Sequence, residues 1–398
     1  MKRIFLTAAA MFALLQSYSQ TGNDSTGFQS RKLKLEEINL VSSYYNQDGN
    51  NSSVTGGIGT EKLSDIANVI DIKFTRYDSK LRKHTFMGEI GIDHYTSASS
   101  DKIDPKNISS ASHADTRIYP SFSWSVENEK KGITFGAGVS SSTEYDYQSF
   151  GGNINLSKKT KDKNGEFSAG LQVYLDQLKL VQPIELRPPS QGNGEDEHYN
   201  SASRNSLSAS LSYSQIINQR LQVIFLADIV HQTGYLSLPF HRVYFADGSL
   251  HQENLPGTRL KIPLGFRANY FLGVKFIIRT YYRFYTDDWG INSNTASLEI
   301  PVKITPFFSI SPFYRYYQQS AAKYFAPYQV HTAQDQYYVS NYDLSKFNSN
   351  FFGTGIRLTP PKGVFGIQHL SMLELRYGHY TKNIGMNSNI ISLNLKYK

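Results

Sequence analysis

Cysteine is absent from the 398 residues, and long apolar runs are missing as well. The lack of cysteine excludes a disulfide framework, a thiolate metal site, a cysteine nucleophile and lipidation at a mature N-terminal cysteine. No stretch approaches the roughly 18 apolar residues of a spanning helix, so a helical membrane protein is excluded. Charged residues make up only 19% of the chain and form no basic arm, so nucleic acid is not expected as a partner.

The first segment of the chain has the order of features of an export signal. Lys2 and Arg3 precede an apolar run from Ile4 to Leu15, and small residues surround a cleavage position after Ser19. We therefore expect residues 1–19 to be a cleaved signal peptide and 20–35 to be a periplasmic segment. Lys2 and Arg3 supply two of the eight net positive charges, so the mature chain carries +6.

Most of the remaining sequence alternates between apolar and polar residues with a period of two. Successive strand residues point to opposite faces, so each such segment has one apolar and one polar face. These segments run for roughly 10–14 residues, whereas strands of soluble proteins mostly have 5–6 and bilayer-crossing strands about 9–11. The sequence therefore predicts an all-β protein, a transmembrane antiparallel up-and-down β-barrel over residues 36–398.

Alternation and turn signals together predict sixteen strands, with fourteen or eighteen as the other even counts. Short turns and long polar connections fall on opposite ends, as in bacterial outer-membrane barrels with periplasmic turns and extracellular loops. The long connections are 46–64, 97–116, 181–203, 237–257 and 320–346. The predicted strands are 36–45, 65–78, 83–96, 117–127, 132–145, 148–159, 166–178, 204–217, 220–235, 258–271, 275–286, 291–303, 306–319, 347–359, 368–380 and 388–398.

Aromatic residues near the strand ends predict two girdles at the membrane interfaces, where the outer face meets outer-membrane lipid. The last strand ends in Tyr397-Lys398, and it resembles the C-terminal signal that the outer-membrane insertion machinery reads. The predicted girdle residues are Tyr44, Tyr45, Tyr95, Tyr119, Trp124, Tyr281, Tyr282, Phe284, Tyr377 and Tyr397.

Four segments carry a resemblance to a known family: Ser42–Asn51, Gly91–Thr96, Ala114–Pro120 and Ser142–Tyr147. On these segments the chain resembles the domain-of-unknown-function 3570 family, which consists of uncharacterised bacterial outer-membrane proteins. The resemblance covers the whole mature chain and implies a location in the cell outer membrane. It implies no established activity and no catalytic residues.

Polar residues that alternate with the lipid-facing ones would line the lumen. Strands 2 and 3 project Asp71, Lys73, Glu89 and Asp93, and strands 10 to 15 project an arginine-rich set. Barrels of sixteen strands are wide enough for an aqueous channel, and arginine suits carboxylate and phosphate groups. The leading prediction is a channel or solute-binding transport protein for a small anionic solute; alternatively, the arginines pair with glutamates and brace a packed lumen. The candidate lumen and solute-contact residues are Arg267, Arg279, Arg283, Arg315, Arg357, Arg376, Glu299 and Glu374.

Two other functions stay open. One is a structural or assembly barrel that anchors a lipoprotein, secretion or redox partner. The other is a lipid-modifying enzyme, since serine is abundant and His94, His231 and His241 are present, but no Gly-x-Ser-x-Gly motif occurs. We expect no enzyme, no catalytic residue and no cofactor.

Two loops remain open in their interpretation. Loop 97–116 carries Asp101, Asp104, His113 and Asp115, and these residues either bind a hard cation or only keep the loop soluble. We predict no metal. Loop 320–346 is rich in aromatic residues, which either fold into the mouth or dock a partner or sugar.

Overall fold

The computed structural model describes residues 32–96, 114–186 and 199–398. These residues form one closed antiparallel sheet of sixteen strands, so the predicted fold class and strand count are confirmed. The strands are β1 Lys34–Asp48, β2 Leu63–Tyr77, β3 Lys83–Thr96, β4 Ala114–Asn128, β5 Ile133–Thr143, β6 Tyr147–Lys159, β7 Gly165–Lys179, β8 Ser201–Asn218, β9 Leu221–Gly234, β10 Thr258–Leu272, β11 Phe276–Asp287, β12 Asn292–Glu299 and Val302–Thr305, β13 Phe308–Gln319, β14 Phe347–Leu358, β15 Leu370–Lys382 and β16 Met386–Tyr397.

Each strand pairs with its neighbours in sequence, and β1 pairs with β16 to close the ring. The closing register runs from Ile38 opposite Tyr397 to Asp48 opposite Asn387. Because closure leaves no free sheet edge, the backbone groups of every barrel strand have partners on both sides. Among the described residues, the helices are three-residue 3₁₀ turns at Ser53–Thr55, Ile184–Leu186, Tyr342–Leu344 and Val364–Gly366. No helix in the described ranges is long and apolar enough to cross a membrane.

The two ends of the barrel differ in their connections, as the sequence predicts. Connections of the turn end are 78–82, 129–132, 160–164, 219–220, 273–275, 306–307 and 359–369. The loop end carries the long connections, among them 49–62, 180–200, 235–257 and 320–346. Connection 235–257 also contains a small hairpin, Arg242–Tyr244 paired with Leu250–Gln252, which the period-two pattern does not predict.

Alternation leaves the outer face of the sheet apolar and exposed. Val139, Phe150 and Leu207 are each more than half exposed, although they lie in the middle of strands. Leaving such side chains in water costs about 25 cal/mol for each Å² of apolar surface, so an apolar surround stabilises the barrel. Contact of this face with water is therefore unfavourable, whereas contact with the hydrocarbon of a bilayer is favourable.

The predicted girdle is partly wrong, because neighbouring strand residues cannot both face outward. Tyr44 and Tyr45 are adjacent, as are Tyr281 and Tyr282, so one member of each pair points into the barrel. Inward-facing residues make polar contacts there: Tyr95 Oη donates to Glu144 and Tyr119 Oη donates to Asp93. The outward members are Tyr44, Trp124, Tyr282, Phe284, Tyr377 and Tyr397, and the inward members are Tyr45, Tyr95, Tyr119 and Tyr281.

Proline breaks one barrel strand. Pro301 carries no backbone N–H to donate, and β12 is interrupted between Glu299 and Val302. The predicted strand 291–303 is thus one strand in two pieces. Its first piece holds Glu299 opposite Arg279 of β11.

Candidate functional site

The predicted lumen residues lie on the inner face of the contiguous wall β10 to β15. Register places Arg279 opposite Glu299 and Arg357 opposite Glu374, so each pair shares one face of the sheet. Arg267 lies opposite Tyr281 on the same face. A cavity of about 430 Å³ adjoins this wall. Five of the eight predicted residues line that cavity: Arg267, Arg279, Arg315, Arg376 and Glu299.

Three of the six arginines belong to an ion-pair chain. Glu299 accepts from Arg279 at 3.4 Å and from Arg376 at 3.0 Å. Glu374 accepts from Arg376 at 3.0 Å and from Arg357 at 2.6 Å. These three arginines neutralise the two carboxylates, and the pairs tie β11, β12, β14 and β15 together across the inner face. For this part of the wall, the structure shows the bracing contacts that the sequence leaves as an alternative.

The other three arginines have no carboxylate within 4 Å among the described residues. The guanidinium of Arg267 lies 5.1 Å from the centre of the Tyr281 ring, and that of Arg315 lies 4.9 Å from the Phe351 ring. The Nε of Arg283 is buried and finds no hydrogen-bond partner in the part of the chain that the structure describes. Guanidinium groups of this kind keep donors available for a carboxylate or phosphate.

The wall across the lumen mixes small polar side chains with larger ones. Asp71 accepts a hydrogen bond from Asn39 and Asp93 accepts one from Tyr119, so the predicted acidic residues of β2 and β3 lie on the inner face. Further round the ring, β4 to β7 present small polar residues. Two more cavities, of about 400 and 490 Å³, adjoin these strands. Among the small residues lining them are Ser121, Ser140, Ser142, Ser149, Asn153, Asn155 and Gly170. The two walls therefore differ: arginines cluster on β10 to β15, whereas β4 to β7 combine small polar residues with Arg117, Tyr119, Tyr147 and Tyr174.

Loops join across the barrel mouth. The β1–β2 loop (49–62) and the β9–β10 loop (235–257) start from strands eight positions apart in the ring of sixteen, so they come from opposite walls. Arg242 Nη1 nevertheless donates to the carbonyl oxygen of Val54 at 2.9 Å, and Ser53 Oγ lies 3.0 Å from His241 Nε2. Arg242 is 3% exposed and also pairs with Glu185 of the β7–β8 loop at 2.8 Å. These loops therefore span the mouth.

The β13–β14 loop (320–346) packs on the same assembly. Asn254 and Tyr338 exchange backbone hydrogen bonds of 3.1 and 2.8 Å, and Ala246 N–H donates to the carbonyl oxygen of His331 at 2.8 Å. Leu255, Trp289 and Val339 form a buried apolar cluster beneath these contacts. We call the loops 49–62, 235–257 and 320–346 together the loop cap. The aromatic residues of loop 320–346 pack on the other cap loops, as the first of the two alternatives for this loop predicts.

Glycine allows the close approach of two cap loops. Gly57 has φ +85°, and a Cβ built on it would lie 2.7 Å from the carbonyl oxygen of Ser340. Any other residue would meet both an unfavourable backbone conformation and a clash with fixed backbone. Sequence reasoning missed the cap because its contacts join loops that are far apart in the chain; the signals for it were the aromatic density of 320–346 and the glycines beside Ser53.

One acidic group stands at the loop end, outside the cap. Carboxylate oxygens of Asp115, Glu144 and Asp146 lie within 4.8 Å of one another. Burial raises the pKa of Glu144 above 4.5, and the nearby carboxylates add to this rise, while Tyr95 and Arg117 oppose it. Asp101, Asp104 and His113 of the predicted cation loop lie outside the described residues.

Comparison with known proteins gives a family but no activity. The family described as "Protein of unknown function (DUF3570)" matches residues 8–389. No curated protein sequence matches the chain.

Solved structures with low sequence identity cover most of the chain. OpdK of Pseudomonas aeruginosa with vanillate has a TM-score of 0.44 at 10% identity, covering 92% of this chain and 98% of that one. A BenF-like porin of Pseudomonas fluorescens has a TM-score of 0.42 at 10% identity, covering 93% and 100%. The ferric enterobactin receptor PfeA of P. aeruginosa, as a mutant, has a TM-score of 0.46 at 12% identity, covering 88% and 54%.

Proposed function

The chain belongs to the DUF3570 family, and we propose that it is an outer-membrane channel or binding barrel for small anionic solutes. The loop cap covers the mouth of this barrel, and the arginines of β10, β11 and β13 attract the solute. Lipid is the expected surround, because the apolar face of every barrel strand points outward.

The location in the bacterial outer membrane rests on the barrel itself. The ring is closed, large apolar side chains are exposed along its strands, and the longest connections lie at one end. The predicted signal peptide would deliver the chain to the periplasm, although residues 1–19 lie outside the described residues. The C-terminal strand β16 would then be recognised by the insertion machinery.

The observation that carries the function is a set of three arginines that have no carboxylate within 4 Å in the described ranges: Arg267, Arg283 and Arg315. A channel that only needed bracing would pair every inward charge, as Arg279, Arg357 and Arg376 are paired. Arg267 and Arg315 are exposed on the inner face, so their guanidinium charges are open to a dissolved anion. The small residues of β4 to β7 leave room for the solute opposite them.

Planar bilayers test the proposal. Mature protein from Gln20 onward would be refolded, shown to be heat-modifiable, and inserted for single-channel recording in a KCl gradient. We expect steady conductance with a reversal potential that shows chloride preference. Absence of current from the folded barrel, or a preference for potassium, would overturn the anion-channel proposal.

The loop cap favours a second candidate function, a scaffold. Buried contacts across the mouth, such as Arg242 to Val54, suit a closed barrel whose outer end presents a fixed surface to a lipoprotein or secretion partner. If the protein is a scaffold, we expect no ionic current in planar bilayers and a partner that co-purifies in a fixed ratio from the native membrane. A conducting barrel that purifies alone would exclude it.

A further inference from the structure

Three side chains of the loop cap form a hydrogen-bonded relay. Ser53 Oγ lies 3.0 Å from His241 Nε2, and His241 Nδ1 lies 2.8 Å from Glu253 Oε2. Ser53 comes from the β1–β2 loop, and the other two residues come from the hairpin region of the opposite β9–β10 loop. Serine, imidazole and carboxylate in this order are the arrangement in which an alcohol becomes a nucleophile.

Glu253 sets the direction of the relay. Its Oε1 accepts from the backbone N–H of Leu238 at 2.9 Å, and its own N–H donates to the carbonyl oxygen of His241 at 3.1 Å. An ionised carboxylate only accepts, so Nδ1 of His241 must carry the proton that it donates to Oε2. A neutral imidazole then has its lone pair on Nε2, and that atom accepts the proton of Ser53 Oγ. This is the tautomer that a general base requires.

The three side chains of the relay differ in their burial. His241 is 4% exposed and Glu253 is 5% exposed, so the relay between them is shielded from water. Ser53 is only partly buried, so it is the side chain of the three that solvent reaches most. Val54 and Phe240 pack together directly beside the serine and the histidine and give that side an apolar wall.

A second serine–histidine contact in the same loop shows what the relay adds. Ser249 Oγ lies 2.9 Å from His251 Nε2. However, Ser249 Oγ donates its single proton to Asp247 Oδ1 at 2.6 Å, so that proton is not available to His251. His251 stacks on Phe245 at 3.9 Å between ring centres and has no carboxylate partner among the described residues. Ser249 therefore contacts a histidine, as Ser53 does, but its hydroxyl is not activated by it.

We propose that Ser53, His241 and Glu253 form a serine-hydrolase site in the loop cap, acting on carboxylic esters with a short apolar acyl group. Ser53 and His241 are the catalytic residues, and Glu253 is a positioning residue. The site lies beyond the proposed channel function and does not depend on it.

The reaction balances with the ester and water alone. Ser53 Oγ bonds to the acyl carbon while its proton passes to His241 Nε2. The carbon–oxygen bond to the alcohol then breaks, and the imidazolium returns the proton to the departing alkoxide. Water attacks the acyl-serine, gives its proton to Nε2, and the carboxylic acid leaves as Ser53 Oγ regains a proton.

Labelling with a fluorophosphonate probe tests the site on the folded, detergent-solubilised full barrel. The probe forms an Oγ–phosphorus bond and releases fluoride, so only an activated serine reacts. We expect tandem mass spectrometry to locate the label on Ser53, and p-nitrophenyl butyrate to be hydrolysed. Ser53→Ala and His241→Gln should lose both signals, whereas the matched control Ser249→Ala should keep them.

Glu253→Gln separates positioning from structure. The glutamine amide can donate to Nδ1, which would move the imidazole proton to Nε2 and remove the base. We expect kcat to fall at least about 100-fold with little change in KM, while heat-modifiable mobility stays that of the wild type. A role limited to holding the loops would leave kcat of the folded variant unchanged.

Three results would overturn the proposal: no label on the folded wild type, a label on another serine, or labelling of Ser53→Ala at the wild-type rate. If Ser53→Ala failed to fold, the labelled position in the wild type would still decide the question.

Discussion

Replacing Arg267 and Arg315 with methionine removes two lumen charges that have no carboxylate partner among the described residues. Methionine keeps a long side chain beside Tyr281 and Phe351, so the packing of the wall changes little. A unit charge about 5 Å from a permeating chloride contributes about 0.8 kcal/mol in a water-filled lumen. That energy corresponds to about a fourfold change in local anion concentration for each charge.

Reversal potentials in KCl gradients measure this effect. At about 0.1 M salt, where the screening length is about 10 Å, we expect the chloride-to-potassium permeability ratio to fall at least about fourfold. At about 1 M salt the screening length is about 3 Å, and the difference from the wild type should nearly vanish.

A charge-neutral variant supplies the control. Arg279→Met with Glu299→Gln removes one charge of each sign from the ion-pair chain, so the net charge of the lumen is unchanged. Its permeability ratio should stay close to that of the wild type. The reasoning is refuted if the double arginine variant keeps the wild-type ratio at low salt, or if the control shifts the ratio as much.

Three further predictions concern residues at the loop end of the barrel. Gly57→Ala should destabilise the cap by about 1–3 kcal/mol, seen as a lower unfolding temperature, because its Cβ meets Ser340; an unchanged temperature would contradict this. Cysteines at Asn254 and Tyr338 should form a disulfide, since hydrogen-bonded antiparallel partners lie about 5.5 Å apart. If movement of the loop cap admits solute, oxidation of this variant should reduce its conductance and dithiothreitol should restore it. Equal conductance of the oxidised and reduced forms would show that solute enters by another path. Glu144→Gln should gain stability over the wild type as pH rises above 4.5, because the raised pKa of Glu144 gives stability at low pH that is lost as the carboxyl ionises; a pH-independent difference would contradict this.

The barrel could be predicted from the sequence because its strands are long enough for the period of two to be unambiguous. Phe167 to Leu175 alternate without exception, and the strand there lies within a residue of the prediction. The same periodicity shows why the prediction that Tyr45 and Tyr281 face the lipid is wrong. The position of an aromatic residue near a strand end does not indicate whether it points outward or inward. Only the alternation along the strand does.

The inner wall could be predicted only in part. Alternation placed Arg279 and Arg315 on one face, but which arginine finds a glutamate depends on register between strands. The contact of Ser53 with His241 joins residues 188 positions apart through two irregular loops, where no period exists. Segments of three residues, such as Arg242–Tyr244, are also too short to show a pattern.

Closure of β1 on β16 has a consequence for how the molecule assembles. The two strands lie at opposite ends of the chain, and Lys396 reaches Glu37 across 359 positions of sequence. Bringing together ends about 350 residues apart costs about 5 kcal/mol in chain entropy by the logarithmic loop law. The ladder from Ile38 to Asp48 repays that cost only when its pairs form together. The final seam is therefore an all-or-none event that must wait for synthesis of the last strand, and a chain truncated before Met386 would present two unpaired edges to any other strand in the periplasm.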